Sequence, residues 1–198
     1  EQDYMFECQE LITSKNKLFS KELIINTMVI NEIKPLKRVD YGVNLISIDN
    51  RYYLNDSMNV NKSPAINLPS MYGYKPVLID KMSIQPWSNQ VENPLSLSSF
   101  GDGPILVQIF FRGRPFLNYF ALEEPWEMAI QQLQKCNRLA GLIVYGSPYL
   151  WDSLGKILND DIPAAYSPGQ MPMAQSILLS KLLDVDTFKS AKNDDFTD

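Results

Sequence analysis

Three short segments of this 198-residue chain combine residue types and spacing that could do chemistry. Tyr145-Gly146-Ser147-Pro148-Tyr149 joins a glycine, which lets backbone approach a ligand, to a serine that can cap a helix. Such a turn leaves amide N–H groups facing an anion or a sugar oxygen, although small polar residues also favour turns for conformational reasons alone. Tyr166 to Pro172, YSPGQMP, is stiffened by two prolines and a glycine and carries Gln170. Stiffness suits a binding loop and a tight connection equally. Phe111-Arg112-Gly113-Arg114-Pro115-Phe116 places guanidinium groups where a strand ends, so Arg112 could hold the carboxylate of a ligand or of another domain, or close a local salt bridge.

Glycosidic bond cleavage needs two carboxyls on either side of one bond. Asp49, Asp56, Asp80, Asp102, Glu123 and Glu124 lie in or near expected loops, but none forms a dyad by spacing. Glu123-Glu124 before Pro125 reads as the acidic first turn of a helix, and Asp160-Asp161 as a surface turn. The sequence contains no histidine, so a Ser-His-Asp triad, a Cys-His pair, an HExxH zinc site and a His₂-carboxylate iron site are all excluded within this chain. There is no GxGxxG and no GxxxxGK[ST] motif. This reading assigns no catalytic residue, no metal site and no cofactor. Trp87, Trp126 and Trp151 read as packing anchors, with Trp87, in the least regular region, the one candidate for a sugar platform.

A net charge of -5 and a pI near 4.8 give no long-range attraction toward phosphate backbones or anionic lipid, so nucleic acid and membrane are not expected partners. No run of 18 apolar residues occurs, and the first residues lack the basic and apolar sections of a signal peptide. Cys8 and Cys136 show no CxxC spacing, and their separation neither requires nor excludes a bridge; free thiols in a cytoplasmic chain are the expectation.

These segments need elements to hold them. Residues 1–34 carry apolar positions at helical spacing, Tyr4, Met5, Cys8, Leu11 and Ile12, then Leu23, Ile24, Thr27, Met28 and Ile30, which predicts two helices. Ser20 would cap the second and Pro35 would end it. Apolar runs at Gly42 to Asp49, Pro76 to Asp80, Gly103 to Phe111, Gly141 to Tyr145 and Ile162 to Tyr166 predict buried strands. Helices are predicted from Pro125 to Leu139, from Pro148 to Leu158 with Tyr149, Leu150, Leu154 and Ile157 inward, and from Gln170 to Leu183. Residues 51–104 otherwise read as surface loops or an inserted arm. Strands without alternation, separated by amphipathic helices, indicate an α/β fold: a three-layer αβα sandwich with a mainly parallel sheet. The predicted organisation is N-terminal helices over 1–34, the sandwich over 35–183 and a flexible acidic tail over 184–198.

The segments GLIVYGSPYLWDSL and IPAAYSPGQMPMAQSILLSKLL resemble the C-terminal α/β sandwich domain of glycoside hydrolase family 3, in particular the β-N-acetylglucosaminidase and β-glucosidase-like proteins of cyanobacteria. Tyr145 to Tyr149 matches a YGSPY-like turn, and Gly169 to Pro172 with Ala174 and Gln175 matches a YGQMP-AQ-like segment; Pro168 departs from the glycine usual there. Weaker likeness extends through Ile105 to Phe116, Ala65 to Tyr74, Pro76 to Asp80 and Asn44 to Asp49, so that it covers residues 20–183. The resemblance implies that the nucleophilic aspartate and, in the acetylglucosaminidase branch, a His-Asp acid/base pair reside on an N-terminal (β/α)8 barrel. This sequence has no SDW-like segment, no KHFPG-like run and too few residues for a barrel beside the sandwich.

The resulting expectation is a non-catalytic C-terminal domain of an enzyme acting on β-glucosides or β-N-acetylglucosaminides. It would pack on the barrel, and the loops bearing Asp49, Arg112, Ser147, Tyr149 and Gln170 would border a β-linked sugar. The alternative is a stand-alone interaction or small-molecule-binding module using residues 51–104 as its partner surface.

Overall fold

The computed structural model describes residues 14–31, 35–48, 63–79, 86–111 and 125–183. Strands β2 (Gly42–Ile48), β4 (Ile105–Phe111) and β5 (Leu139–Gly146) are buried along almost their whole length, as expected of apolar runs covered on both faces. With β1 (Val29–Asn31), β3 (Tyr74–Ile79) and β6 (Ala164–Ser167) they form one sheet in the order β1-β6-β5-β4-β2-β3. Every pairing is parallel except β1 with β6. Helices α3 (Trp126–Lys135) and α4 (Pro148–Gly155) cover one face, where Leu45, Val107, Ile109, Leu142 and Val144 meet Ala129, Ile130, Leu133, Leu150 and Leu154. Helices α2 (Pro64–Met71) and α5 (Pro172–Leu182) cover the other, over Ile46, Leu106, Phe110, Ile143 and Tyr145. Alternate residues of each strand thus feed two separate cores, and the chain is a three-layer αβα sandwich.

The N-terminal region differs from the predicted pair of helices. Helix α1 spans Ser14–Thr27, so Ser20 lies inside it and caps nothing. Val29, Ile30 and Asn31 leave the helical path and pair with Tyr166, Ala165 and Ala164. The helical spacing of Leu23, Ile24, Thr27, Met28 and Ile30 misled because the open edge of β6 offers branched residues a ladder of hydrogen bonds, and a tertiary partner overrides local period. Ile24, Ile25 and Met28 pack on Ala174 and Ile177 of α5. The predicted first helix, through Tyr4 to Ile12, falls outside the described residues, as does the acidic tail.

The polar middle third is built into the sandwich wherever it is described. Helix α2 begins with Pro64 at its first turn and holds Pro69 inside, a composition that conceals a helix from propensity arguments. Residues 86–100 fold onto α3: Leu95 donates its N–H to Gln132 Oε1 at 2.9 Å and accepts from Gln132 Nε2 at 3.0 Å, so one amide side chain imitates a strand neighbour. Trp87 meets Trp126 edge to face, with ring centroids 5.1 Å apart. This contact makes Trp87 part of the packing and not a platform.

Tyr149, expected to point inward, is exposed, while Leu150 and Leu154 of the same helix are buried as predicted. Cys136 is an exposed free thiol, and Cys8 lies outside the described residues. Among the described residues no helix is long and apolar enough to cross a membrane.

Candidate functional site

In an open parallel sheet the crevice outside the carboxyl ends of the strands is where ligands bind. Here that end is formed by the turn after β5, the loop after β6 and the start of α2. Gly146 has φ 105°, and a Cβ on it would lie 2.4 Å from the Phe111 carbonyl oxygen and 2.6 Å from Gln170 Nε2. Glycine is therefore needed where β4, β5 and the β6 loop converge. The Ser147 N–H donates to the Phe111 carbonyl at 2.8 Å, and Ser147 Oγ accepts from the Leu150 N–H at 3.3 Å. With 2% of its surface exposed, Ser147 is the N-cap of α4, and its hydroxyl is turned to the protein.

Gln170 is a strut. Its Nε2 donates to the Tyr145 carbonyl at 3.1 Å, and its own carbonyl accepts from Gln175 Nε2 at 2.8 Å. Gln175 Oε1 in turn accepts from Ser63 Oγ at 2.6 Å and from the Ala65 N–H at 3.2 Å. One chain of hydrogen bonds thus ties the end of β5 to the starts of α5 and α2. Sequence reasoning marked Gln175 only through the AQ pair of the motif and did not assign it a role. The Tyr166 hydroxyl donates to the Gly146 carbonyl at 3.2 Å. Burial raises the Tyr166 phenol above its ordinary pKa, and the Asp152 carboxylate adds to the rise.

Beneath this rim a polar relay crosses the buried face. The Tyr145 hydroxyl donates to Gln108 Oε1 at 3.1 Å; Gln108 Nε2 donates to Asn44 Oδ1 and to the Ala65 carbonyl, each at 2.7 Å; Asn44 Nδ2 donates to the same carbonyl at 2.8 Å. Burial pushes the Tyr145 phenol far up. Beside the relay, Ile46, Ile48, Leu78 and Phe110 line an apolar cavity of about 20 Å³, the room of a single water.

Of the five predicted site residues, Ser147, Tyr149 and Gln170 come to the same end of the sheet, whereas Asp49 and Arg112 lie outside the described residues. The large side chains exposed at this end are Tyr149 (61% exposed), Met171 (53%) and Met173 (40%), with the exposed Asp152 carboxylate near Tyr166. The two methionines were missed; the signal available was their position around Pro172 at a helix start. Glu127, in the first turn of α3, accepts a short hydrogen bond from the Ser153 hydroxyl and so links α3 to α4. No group of three or more His, Cys, Asp or Glu side chains able to hold a metal occurs among the described residues. Taken together, the rim offers a rigid backbone, amide groups and thioether and phenol surface, a chemistry of contact.

The family model for the bacterial glycosyl hydrolase family 3 C-terminal domain matches residues 35–184, three quarters of the chain. The chain belongs to this family. Among solved structures its fold is similar to a β-glucoside phosphorylase, BglX, with a TM-score of 0.54 and 11% identity over 87% of this chain and 30% of that one. A fungal multi-domain family 3 β-N-acetylglucosaminidase is found at a TM-score of 0.46 and 13% identity, over 90% of this chain and 19% of that one. Comparison with curated proteins returned no match. This family 3 C-terminal domain therefore spans under a third of the length of either solved chain.

Proposed function

We propose that this domain packs the carboxyl end of its sheet against a (β/α)8 barrel of the same protein and borders the site where that barrel cleaves a β-glucoside or a β-N-acetylglucosaminide. Family membership supports the pairing of sandwich and catalytic domain. The observation that carries the reading is the exposed apolar surface of Tyr149, Met171 and Met173 on a rim held rigid by Gln170, Gln175 and Gly146. Exposed apolar side chains gathered at one end of a sandwich fit a neighbouring domain better than they fit water. In this reading Tyr149 and the Gly146 to Pro148 turn face the sugar, while Asp49 and Arg112, which follow β2 and β4 in sequence, would complete the border.

The test is hydrolysis of aryl β-glucoside and aryl β-N-acetylglucosaminide by this chain alone and by a polypeptide that joins it to its barrel. Turnover is expected only from the joined protein, and Met171→Asp should lower that turnover without lowering the urea midpoint of the isolated chain. Robust cleavage by the isolated chain would overturn the proposal.

A further inference from the structure

A second recess lies beside β6, between β1 and α4. Strand β1 extends the sheet past β6, and its register sets Asn31 opposite Ala164. Ala164 carries only a methyl group and is fully buried beneath the space between β1 and α4. The recess above it has a volume of about 200 Å³; Trp151 and Gly155 of α4 form its wall, and Asn159 and Asp160, in the turn leading to β6, its rim. Trp151 is fixed in place by stacking on Tyr166, with ring centroids 5.9 Å apart and planes inclined by 21°. A ring held this way presents its remaining surface at little entropic cost.

The polar complement around the indole is specific in kind. Asn31 and Asn159 each bring an amide donor and an amide acceptor, and Asp160 brings acceptors alone. The side chains of all three make no hydrogen bond or ion pair with another described residue. Among the described residues no lysine or arginine lines the recess, which disfavours phosphate and carboxylate ligands. Its volume is below the roughly 300 Å³ at which clefts for drug-sized molecules begin, so it is sized for one small ring.

We infer that this recess binds a single neutral pyranose ring, stacked on Trp151 and hydrogen-bonded by Asn31, Asn159 and Asp160. The inference goes beyond the proposed function and does not need it. The polar groups of the recess, Asn31, Asn159 and Asp160, lie at the amino end of β6, whereas the rim proposed to face the barrel is at the carboxyl end. A sugar held here would be a second contact point for a longer saccharide or for a polymer surface.

The test is titration of the nitrogen-15-labelled 198-residue chain with methyl β-D-glucopyranoside, following the three indole N–H resonances, assigned with Trp87→Phe and Trp151→Phe. A saturable shift of the Trp151 signal is expected, with a dissociation constant on the order of millimolar for so few contacts, and no shift of the Trp87 and Trp126 signals. A Cβ added at Gly155 meets no atom within 4 Å, so Gly155→Gln can occupy the recess without displacing the protein, and it should abolish the shift. Asn31→Ala should weaken binding about fivefold, the loss of one neutral hydrogen bond. The inference is overturned if the glucoside gives no saturable shift, if glycerol gives the same shift at equal concentration, or if the shift survives both substitutions. Because the titration uses this chain without any barrel, its result is independent of the hydrolysis test.

Discussion

Pro69 stands four residues after Ala65 in α2 and, having no N–H, leaves the Ala65 carbonyl without its helical donor; Gln108 Nε2, from the middle of the sheet, supplies one at 2.7 Å. Asn44 adds a second donor. A proline that would be a defect in an isolated helix becomes the docking point of that helix on β2 and β4. The helix start that carries Ser63 is thereby fixed to the sheet and, through Gln175, to the rim.

Gln108→Leu should destabilise the chain by about 2–3 kcal/mol, because the Tyr145 hydroxyl is left buried without an acceptor and the Ala65 carbonyl keeps only Asn44. Urea unfolding measures the loss. In a Pro69→Ala background the same change should cost about 1 kcal/mol less, since alanine supplies the helical N–H that Pro69 lacks. Equal costs in the two backgrounds would show that the proline and the glutamine act independently.

Gly146→Ala is expected to cost at least about 2 kcal/mol, from the positive φ and from crowding against the Phe111 carbonyl. Gly155→Ala, at the end of α4 with open space around it, should be neutral or stabilising and serves as the control. Thermal unfolding of the two variants side by side decides this.

Ser147 is assigned a cap, which orders two substitutions. Ser147→Ala should lose about 1 kcal/mol and Ser147→Gly only a few tenths, because glycine tolerates the cap conformation and leaves the amides open to water. A larger loss for glycine than for alanine would mean that the hydroxyl is not acting as a cap.

Stability should fall in alkali. Burial raises Tyr74 from 10.0 to about 12 in the folded chain, and its hydroxyl donates to the Lys37 carbonyl at 3.0 Å. An unfolded tyrosine ionises near pH 10, so between pH 10 and about 12 the unfolded state holds fewer protons and is favoured as pH rises. The contribution is complete below pH 10 and is lost toward 12. Tyr145, raised further by burial, acts with the same sign. Urea midpoints followed from about pH 9 to 11 should decline, and Tyr74→Phe should make the decline shallower. A pH-independent midpoint in the parent chain would contradict the burial of both phenols.

The residue order by itself determined the layer architecture, because β4 and β5 are apolar at nearly every position and a strand with that pattern must be covered on both faces. It determined the family, because YGSPY and GQMP-AQ sit at the two strand exits where backbone, not side-chain chemistry, constrains the residues. It also showed that Ser147, Tyr149 and Gln170 belong to one end of the sheet, since two parallel strands deliver both loops there. Only the tertiary structure decided that Val29 to Asn31 is a strand and not a helix end, that Pro64 to Met71 is a helix, and that Ser147 and Gln170 support the rim from inside. The physical reason is range. Period and propensity report whether a segment buries one of its own faces, whereas Gln108 with Ala65, Gln175 with Ser63 and Gln132 with Leu95 are side-chain to backbone or side-chain pairs separated by 43, 112 and 37 residues. Their partners exist only once the sheet has brought the elements together.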